Sequence, residues 1–248
     1  MVDYEKVLEK ADEALDTGDY LSAIKHYEEV LDKYPNCITA WNNKGLVYAK
    51  KGEYKKAIEN FDKAIELNSE NENALQNKFS ASIFIFDFNA ANEACDGLLK
   101  INPTDVVTLT NKGFVCSQLG KVDEALKSID NALKLKPNQP ALWTNKGFLY
   151  EGLREFDKAI ECHNKAIEIE GENSMLFVNK GFACKQAGQY ELAITCFNIA
   201  INLDPKNDKA YLNKGLTFEK MGNQKEANKC YNQAVAINPS LLENGNFS

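Results

Sequence analysis

The chain has 248 residues, 44% of them hydrophobic and 26% charged, which is ordinary for a water-soluble protein with a substantial core. A formal net charge of −7 excludes a broad basic field for nucleic acid or an anionic membrane. No apolar run reaches the roughly 18 residues that a membrane-spanning helix needs. The first residues, MVDYEKVLEK, lack a signal-peptide core, so we expect a cytoplasmic protein.

A period of 34 residues organises the chain. The letters Asn-Lys-Gly recur in phase, at 43–45, 111–113, 145–147, 179–181 and 213–215. We call the glycine place the marker position; Ala11 fills it in the first unit and Phe79 in the third. A fixed period of this length indicates an array of small structural units. We predict one array over 1–248, with units at 4–37, 38–71, 72–105, 106–139, 140–173, 174–207 and 208–241 and a short C-terminal tail, 242–248.

Each unit predicts two helices. In the second unit the first helix runs from Ile38 to about Lys50, and Gly52 then breaks the chain. The second helix carries an apolar stripe at helical spacing, formed by Tyr54, Ala57, Ile58, Phe61, Ala64 and Ile65. A glycine inside a helix costs about 1 kcal/mol relative to alanine, so Gly45 needs a packing reason. We expect close contact between Gly45 and Ala57.

This pattern resembles the tetratricopeptide repeat (TPR) family. In that family W-x2-L-G-x2-Y is followed by A, then by F or Y, then by a second A, and finally by P. The matching residues of the second unit are Trp41, Gly45, Tyr48, Ala57, Phe61 and Ala64. The resemblance implies an all-α fold, a right-handed superhelical solenoid of seven helix-turn-helix repeats. It also implies that the first helices of the repeats line a concave face.

Two departures from the family pattern stand out. Lysine precedes the marker position in all seven units, and we expect its ammonium to reach water or a carboxylate while its stem packs between units. In the third unit SIFIFDFN replaces the glycine-containing turn, which predicts wider helix spacing or a local kink. Whether Phe79, Phe84, Phe86 and Phe88 form a pocket or a packing irregularity is open.

Groups that could carry out catalysis are scarce. The chain has two histidines, His26 and His163, both within second-helix patterns, and it shows no phosphate-binding loop, HExxH or GxSxG motif. Its seven cysteines include no CxxC pair, so we expect reduced thiols, most of them acting as small hydrophobes. We therefore predict a non-enzymatic protein with no cofactor and no metal.

An asparagine ladder is the main candidate for binding. Asparagine stands two residues before the marker position in six units, as Asn43, Asn77, Asn111, Asn145, Asn179 and Asn213. Some TPR proteins that this chain resembles hold the main chain of an extended peptide with such a ladder. One primary amide pairs with a peptide N–H and C=O together. The alternative is that each asparagine bonds within its own helix pair.

An apolar floor is predicted beside the ladder. Its residues are Phe114, Phe148 and Phe182 just after the marker position, with Thr110, Thr144 and Val178 one turn earlier and Val107, Ala141 and Met175 beyond. Aromatic side chains in a groove are typical anchors for a bound peptide. The alternative is that each phenylalanine packs on its neighbouring repeat. Charged residues border the floor at Glu151, Lys185, Lys209 and Glu219.

The expected partner is a protein or peptide segment that is extended and partly apolar. The carboxylate clamp of co-chaperone TPR domains needs lysine three residues before the marker and asparagine just after it, and no unit has both. We therefore expect no binding to the tails of Hsp70 or Hsp90. The short sequence after Pro239 predicts an uncapped last helix, 224–237, and self-association there. The competing hypothesis is a structural assembly module that acts through this end and the convex face.

Overall fold

The structure is a computed structural model that describes residues 2–241. Over this range the chain forms fourteen α-helices and one short 3-10 helix, and no strand. The helices are α1 (Val2–Thr17), α2 (Tyr20–Lys33), α3 (Ile38–Lys50), α4 (Tyr54–Leu67), α5 (Glu72–Phe84), α6 (Phe88–Ile101), α7 (Val106–Gln118), α8 (Val122–Leu135), α9 (Pro140–Gly152), α10 (Phe156–Glu170), α11 (Ser174–Gln186), α12 (Tyr190–Leu203), α13 (Asp208–Lys220) and α14 (Gln224–Ile237), with the 3-10 helix at Pro239–Leu241. The predicted tail, 242–248, lies outside the described residues.

Two helices belong to each 34-residue unit, which confirms the predicted all-α, helix-turn-helix repeat fold. The chain divides into two compact units, Met1–Ser128 (the N-terminal unit) and Ile129–Ser248 (the C-terminal unit), and the boundary falls within α8. One continuous array over 1–248 stays a prediction. So does self-association through α14, on which the 3-10 helix packs.

Each unit is held by small and aromatic residues between neighbouring helices. In the N-terminal unit, Ala11, Tyr27 and Val47 belong to one buried cluster that joins α1, α2 and α3. In the C-terminal unit, Ala183 and Phe197 belong to a cluster that joins α10, α11, α12 and α13. Because each cluster includes the next repeat, a single repeat does not complete its own core.

Short polar side chains start several helices. An aspartate or asparagine at the N-cap accepts a hydrogen bond from a backbone N–H of the first turn, as seen for Asp19, Asn71, Asp87, Asp105, Asn173, Asn207 and Asn223. These caps satisfy backbone donors that have no partner inside the helix. These caps start four first helices, α5, α7, α11 and α13, and three second helices, α2, α6 and α14.

A left-handed residue joins the two helices of every repeat. Its φ lies between 58° and 80° at Gly18, Gly52, Phe86, Gly120, Arg154, Gly188 and Gly222. Glycine adopts this conformation without steric cost, whereas a residue with a Cβ is strained there. The turn therefore requires a left-handed residue, and two repeats meet that requirement with a side chain that disfavours it.

The third repeat is not kinked. Helix α5 runs unbroken from Glu72 to Phe84, and the N–H of Asp87 donates to the carbonyl of Ser82 at 2.9 Å. The same turn hydrogen bond has the same length in the second repeat. The expected kink is therefore wrong, because Phe86 adopts the left-handed conformation that glycine supplies elsewhere.

Four marker glycines, Gly45, Gly147, Gly181 and Gly215, face aromatic rings. A Cβ added to Gly45 would lie 2.5 Å from the ring of Phe61, and one added to Gly181 would lie 2.6 Å from the ring of Phe197. Equivalent rings stand against the other marker glycines of the C-terminal unit, with His163 at Gly147 and Tyr231 at Gly215. The side chain nearest to Gly45 is therefore a ring sixteen residues later in the chain, and the expected contact with Ala57 stays a prediction.

In the third repeat the large side chain stands at the marker position and the small one stands sixteen residues later, the reverse of the other repeats. Phe79 stands at the marker position and Cys95 stands where the other repeats place a larger side chain, and Cys95 is fully buried. A large residue and a small one fill the same space in either order when their summed volume is kept. Phe79 is partly buried, and the combined size of the two positions is thereby kept in the third repeat.

The lysine before the marker position forms an ion pair with the preceding repeat. Lys44 lies 2.8 Å from Glu28 and Lys78 lies 2.7 Å from Asp62. The same pairing, always with an acid sixteen residues earlier, joins Lys112 to Asp96 and Lys146 to Asp130. These contacts confirm the expected carboxylate. Lys180 and Lys214 form no ion pair within residues 2–241, because Asn164 and Asn198 occupy the acid's position.

Candidate functional site

The predicted ladder and floor lie on one side of the first helices. Residues two before and one after the marker position are three apart, so they are neighbours on a helix surface. We name this stripe the first-helix face. In the C-terminal unit it is formed by α9, α11 and α13, and in the N-terminal unit by α1, α3, α5 and α7.

Two asparagines of the N-terminal unit are bonded within the fold. Asn43 donates to Asp12 at 3.0 Å and accepts from Asn42 at 3.2 Å. Asn77 donates to the amide oxygen of Asn42 at 3.1 Å. Both amides donate to the preceding repeat, whereas the alternative hypothesis placed each hydrogen bond within its own helix pair.

Asn111 differs from them. Its side chain is partly buried and forms no hydrogen bond with any described residue. Thr110 bonds its own helix through the carbonyl of Val106 at 2.7 Å. Phe114 is 50% exposed and meets the edge of Phe88 at a centroid distance of 6.2 Å. One amide and one exposed ring therefore lie together at the end of the N-terminal unit.

In the C-terminal unit two amides have no partner. The side chains of Asn145 and Asn179 are partly buried, and neither forms a hydrogen bond within residues 2–241. Asn213 is bonded: it donates to the carbonyl of Lys209 at 3.0 Å and accepts from Lys185 Nζ at 2.9 Å. The ladder therefore contains both bonded amides and available ones.

Apolar residues border the two available amides. Phe148 is 46% exposed, Phe182 is partly buried and Met175 is 42% exposed, while Val178 is buried at the base. The hydroxyl oxygen of Thr144 is shielded from solvent and has no hydrogen-bond partner among the described residues. The predicted floor is thus present on α9 and α11, with one unsatisfied polar atom in it.

The side chain of His163 packs against Phe148, one of the apolar residues of the floor. Its ring is fully buried, its Nε2 lies 2.9 Å from Glu151 Oε1, and it meets Phe148 edge-on at 5.7 Å. The sequence placed His163 within a second-helix pattern and did not predict its carboxylate partner. The signal was present in retrospect, since Gly147, sixteen residues earlier, leaves room for a ring at position 163.

The cysteines are free and six of the seven are buried. Burial raises the pKa of the Cys95 thiol to about 12 and that of Cys162 to about 11. Protonated, buried thiols act as small apolar side chains. Among residues 2–241, no three His, Cys, Asp or Glu side chains lie close enough together to hold a metal ion.

The third repeat presents aromatic rings to solvent. Phe84 stacks on Tyr54 at 4.9 Å, and Phe86, which is 76% exposed, meets Phe88 edge-on at 6.2 Å. The rings form a surface cluster rather than an enclosed pocket.

Within the described part of the chain, no helix has both the length and the apolar character required to cross a bilayer.

Comparison with known families assigns the fold. Models of the tetratricopeptide repeat match residues 38–71, 107–139, 140–173 and 208–241, and a further TPR repeat model matches 181–222. These ranges cover more than half of the chain, so the chain belongs to the tetratricopeptide repeat family. Proteins of this family generally mediate protein–protein interactions and are typically non-enzymatic scaffolds. No curated relative matches the sequence.

Solved structures share the fold at low sequence identity. A crystal structure of MamA is 22% identical over 66% of this chain and 96% of that one, with a TM-score of 0.59. A tetratricopeptide repeat protein from Parabacteroides merdae is 18% identical over 95% and 93%, with a TM-score of 0.63. The pilF protein of Pseudomonas aeruginosa is 17% identical over 83% and 94%, with a TM-score of 0.59. At these identities the likeness shows the fold alone.

Proposed function

We propose that the first-helix face of the C-terminal unit binds an extended, partly apolar peptide segment of a protein partner. The observation that carries this proposal is the pair of available amides, Asn145 and Asn179, which have no hydrogen-bond partner within the described residues. A primary amide both donates and accepts, so each can pair with the main chain of a peptide. Such pairing reads no side chain.

Spacing supports a main-chain ladder. Packed helices lie roughly 8–10 Å apart, and an extended peptide rises about 3.3 Å per residue. Amides on neighbouring first helices would therefore meet about every third peptide residue. Asn145 on α9 and Asn179 on α11 provide two such rungs in the C-terminal unit.

The apolar floor supplies the affinity that two amides lack. A net hydrogen bond contributes only about 0.5–1.5 kcal/mol, so apolar contact has to add to it. Phe148, Phe182 and Met175 offer exposed or partly exposed apolar surface beside the amides. We assign no peptide contact to the hydroxyl of Thr144, because its oxygen is shielded from solvent.

The remaining predicted residues have different roles in this proposal. Asn111, Thr110 and Phe114 form a separate, smaller candidate in the N-terminal unit, where only the amide of Asn111 is available. Asn43 and Asn77 would each have to break an internal hydrogen bond to pair with a peptide. We assign them to repeat stability.

The test starts from random twelve-residue peptides displayed on phage and selected on the full chain. The double change Asn145→Ala with Asn179→Ala should raise the Kd of a selected peptide about tenfold or more, because up to four hydrogen bonds are lost. Thermal stability should stay unchanged, since neither amide bonds within the fold. Fluorescence anisotropy and circular dichroism measure the two quantities.

Asn213→Ala is the matched control, because Asn213 occupies the same ladder but already bonds to Lys209 and Lys185. It should lower the free energy of unfolding by about 1 kcal/mol and raise the Kd by less than the double variant does. N-methylation of single peptide amides should weaken binding at every third position. If the double variant binds selected peptides normally, the face is not the binding site and the assembly alternative is favoured.

A further inference from the structure

One lysine of the first-helix face has no acidic partner. Lys185 lies on α11, partly buried, and its Nζ donates to the amide oxygen of Asn213 on α13 at 2.9 Å. The ammonium also lies 4.7 Å from the ring centroid of Phe182. No carboxylate oxygen of residues 2–241 lies within 4.0 Å of it. A buried charge is ordinarily paired, so this arrangement is incomplete.

The acids at equivalent positions of the neighbouring repeats are already engaged. Glu151 on α9 lies 2.9 Å from His163 Nε2, and Glu219 on α13 accepts a hydrogen bond from the hydroxyl of Tyr231. Both carboxylates therefore contact the second helix of their own repeat. Neither is among the contacts of Lys185, so no carboxylate of the C-terminal unit's face neutralises it.

The surroundings of Lys185 favour an anion. Burial, and after it the charge of Lys220, lower the pKa of the Lys185 ammonium below the ordinary lysine value. A carboxylate placed beside the two ammonium groups would be attracted to both and would reverse this effect. Shifts of this kind, caused by burial and a specific charge, are typical of binding sites.

Resting on the proposed peptide binding, we propose that Lys185 receives the carboxylate of an Asp or Glu side chain in the bound segment. An ammonium has three N–H donors, and Asn213 takes one, so two remain for a carboxylate. Phe182 lies directly beside Lys185 and contacts an apolar residue next to the acidic one. The partner segment is therefore acidic as well as apolar. Lys185 follows the marker position by four residues, which is not a place that the carboxylate clamp uses.

Peptide selection on the full chain and on Lys185→Met tests this assignment. Peptides selected on the unaltered chain should carry Asp or Glu at one fixed position, and Lys185→Met should remove that preference. Lys185→Met should raise the Kd of such a peptide about tenfold, as should changing its Glu to Gln. Combining Lys185→Met with the Glu→Gln peptide should raise the Kd no more than either change alone. Lys209→Met, an exposed lysine of the same face, is the control and should change the Kd less than twofold.

The outcomes separate the inference from the proposed function. Peptides that depend on Asn145 and Asn179 but show no acidic preference would overturn the Lys185 assignment and leave peptide binding intact. Absence of any selected binder would overturn both. Amidation of the peptide's C-terminus should leave affinity unchanged; a loss on amidation, with no effect of Glu→Gln, assigns the carboxylate to the chain end and rejects the proposal. The Glu→Gln change is made in the peptide, so this part of the test does not depend on the folding of a protein variant.

Discussion

The third and sixth repeats share one backbone but fill its equivalent positions in opposite ways. The third places Phe79 at the marker position with Cys95 as the buried small residue, and the sixth places Gly181 there with the ring of Phe197. Both form an unbroken helix pair with a left-handed turn residue. The helix pair therefore depends on the combined size of two side chains, not on which helix carries the larger one.

The same two repeats differ in their polar residues. Asn77 donates to Asn42 of the preceding repeat, whereas Asn179 keeps an available amide because Thr144 stands at the corresponding position. Lys78 contacts two carboxylates, whereas Lys180 contacts none within the described residues. A repeat position thus does not decide whether its side chain is available for a partner; the surrounding residues of its own and the preceding repeat decide it.

The largest expected effect on the free energy of unfolding is at Phe79 and Cys95, the two positions whose side-chain sizes are exchanged in the third repeat. Phe79→Ala should lower the free energy of unfolding by about 2–4 kcal/mol, because most of a ring is lost from a helix pair whose other position holds only Cys95. Urea denaturation measures the change. Phe79→Gly combined with Cys95→Phe copies the sixth repeat and should recover at least half of the loss. No recovery would contradict the exchange.

The reverse experiment is Gly181→Ala in the sixth repeat. The added Cβ would lie 2.6 Å from the fully buried ring of Phe197, so the variant should lose about 1–3 kcal/mol. Gly152→Ala is the control, because a Cβ there meets no atom within 4 Å. It should gain up to about 1 kcal/mol from helix propensity. Equal effects at the two glycines would show that ring contact is not the reason for Gly181.

A smaller effect is expected at the lysine before the marker position. Lys78→Met should cost about 1 kcal/mol and Lys180→Met less than about 0.5 kcal/mol, because only Lys78 has ion pairs, at 2.7 and 2.9 Å. Burial opposes the Lys78 charge, but bonds to Asp62 and Glu93 outweigh it and raise the pKa above 10.5. A raised lysine pKa stabilises the fold at neutral pH.

This contribution should therefore be complete at pH 7 and disappear as the pH rises through the raised pKa. Urea midpoints of the unaltered chain and Lys78→Met, compared from pH 7 upward, should converge only above 10.5. Convergence well below that value would mean that the ion pairs do not stabilise the third repeat.

The smallest effect is expected at the turn. Phe86→Gly should raise the free energy of unfolding by about 0.5–1 kcal/mol, since glycine adopts φ near 58° without strain and the ring is 76% exposed. Gly188→Ala, at the same turn of the sixth repeat, should lose about 1 kcal/mol. Thermal unfolding measures both. A loss for Phe86→Gly would show that the contact of this ring with Phe88 outweighs the backbone strain.

The fold was predictable because it is local and repeated. Helical periodicity and a constant 34-residue spacing recur in seven repeats, and a turn glycine recurs in five of them, so each element is specified by residues near it in the chain. The positions of the asparagine ladder and the aromatic floor were predictable for the same reason. The third repeat misled us, because the absence of turn glycine predicted a kink that Phe86 avoids by adopting the left-handed conformation.

The amino-acid sequence by itself determined the repeat length, the helix pairs and the residues that share the first-helix face, because these follow from spacing along the chain. Only the tertiary structure decided which ladder amides are bonded, that four marker glycines face rings, and that Lys185 lacks a carboxylate. These properties depend on side chains twelve to thirty-five residues away. The physical reason is that a polar side chain takes the nearest partner in space, and its identity changes from one repeat to the next.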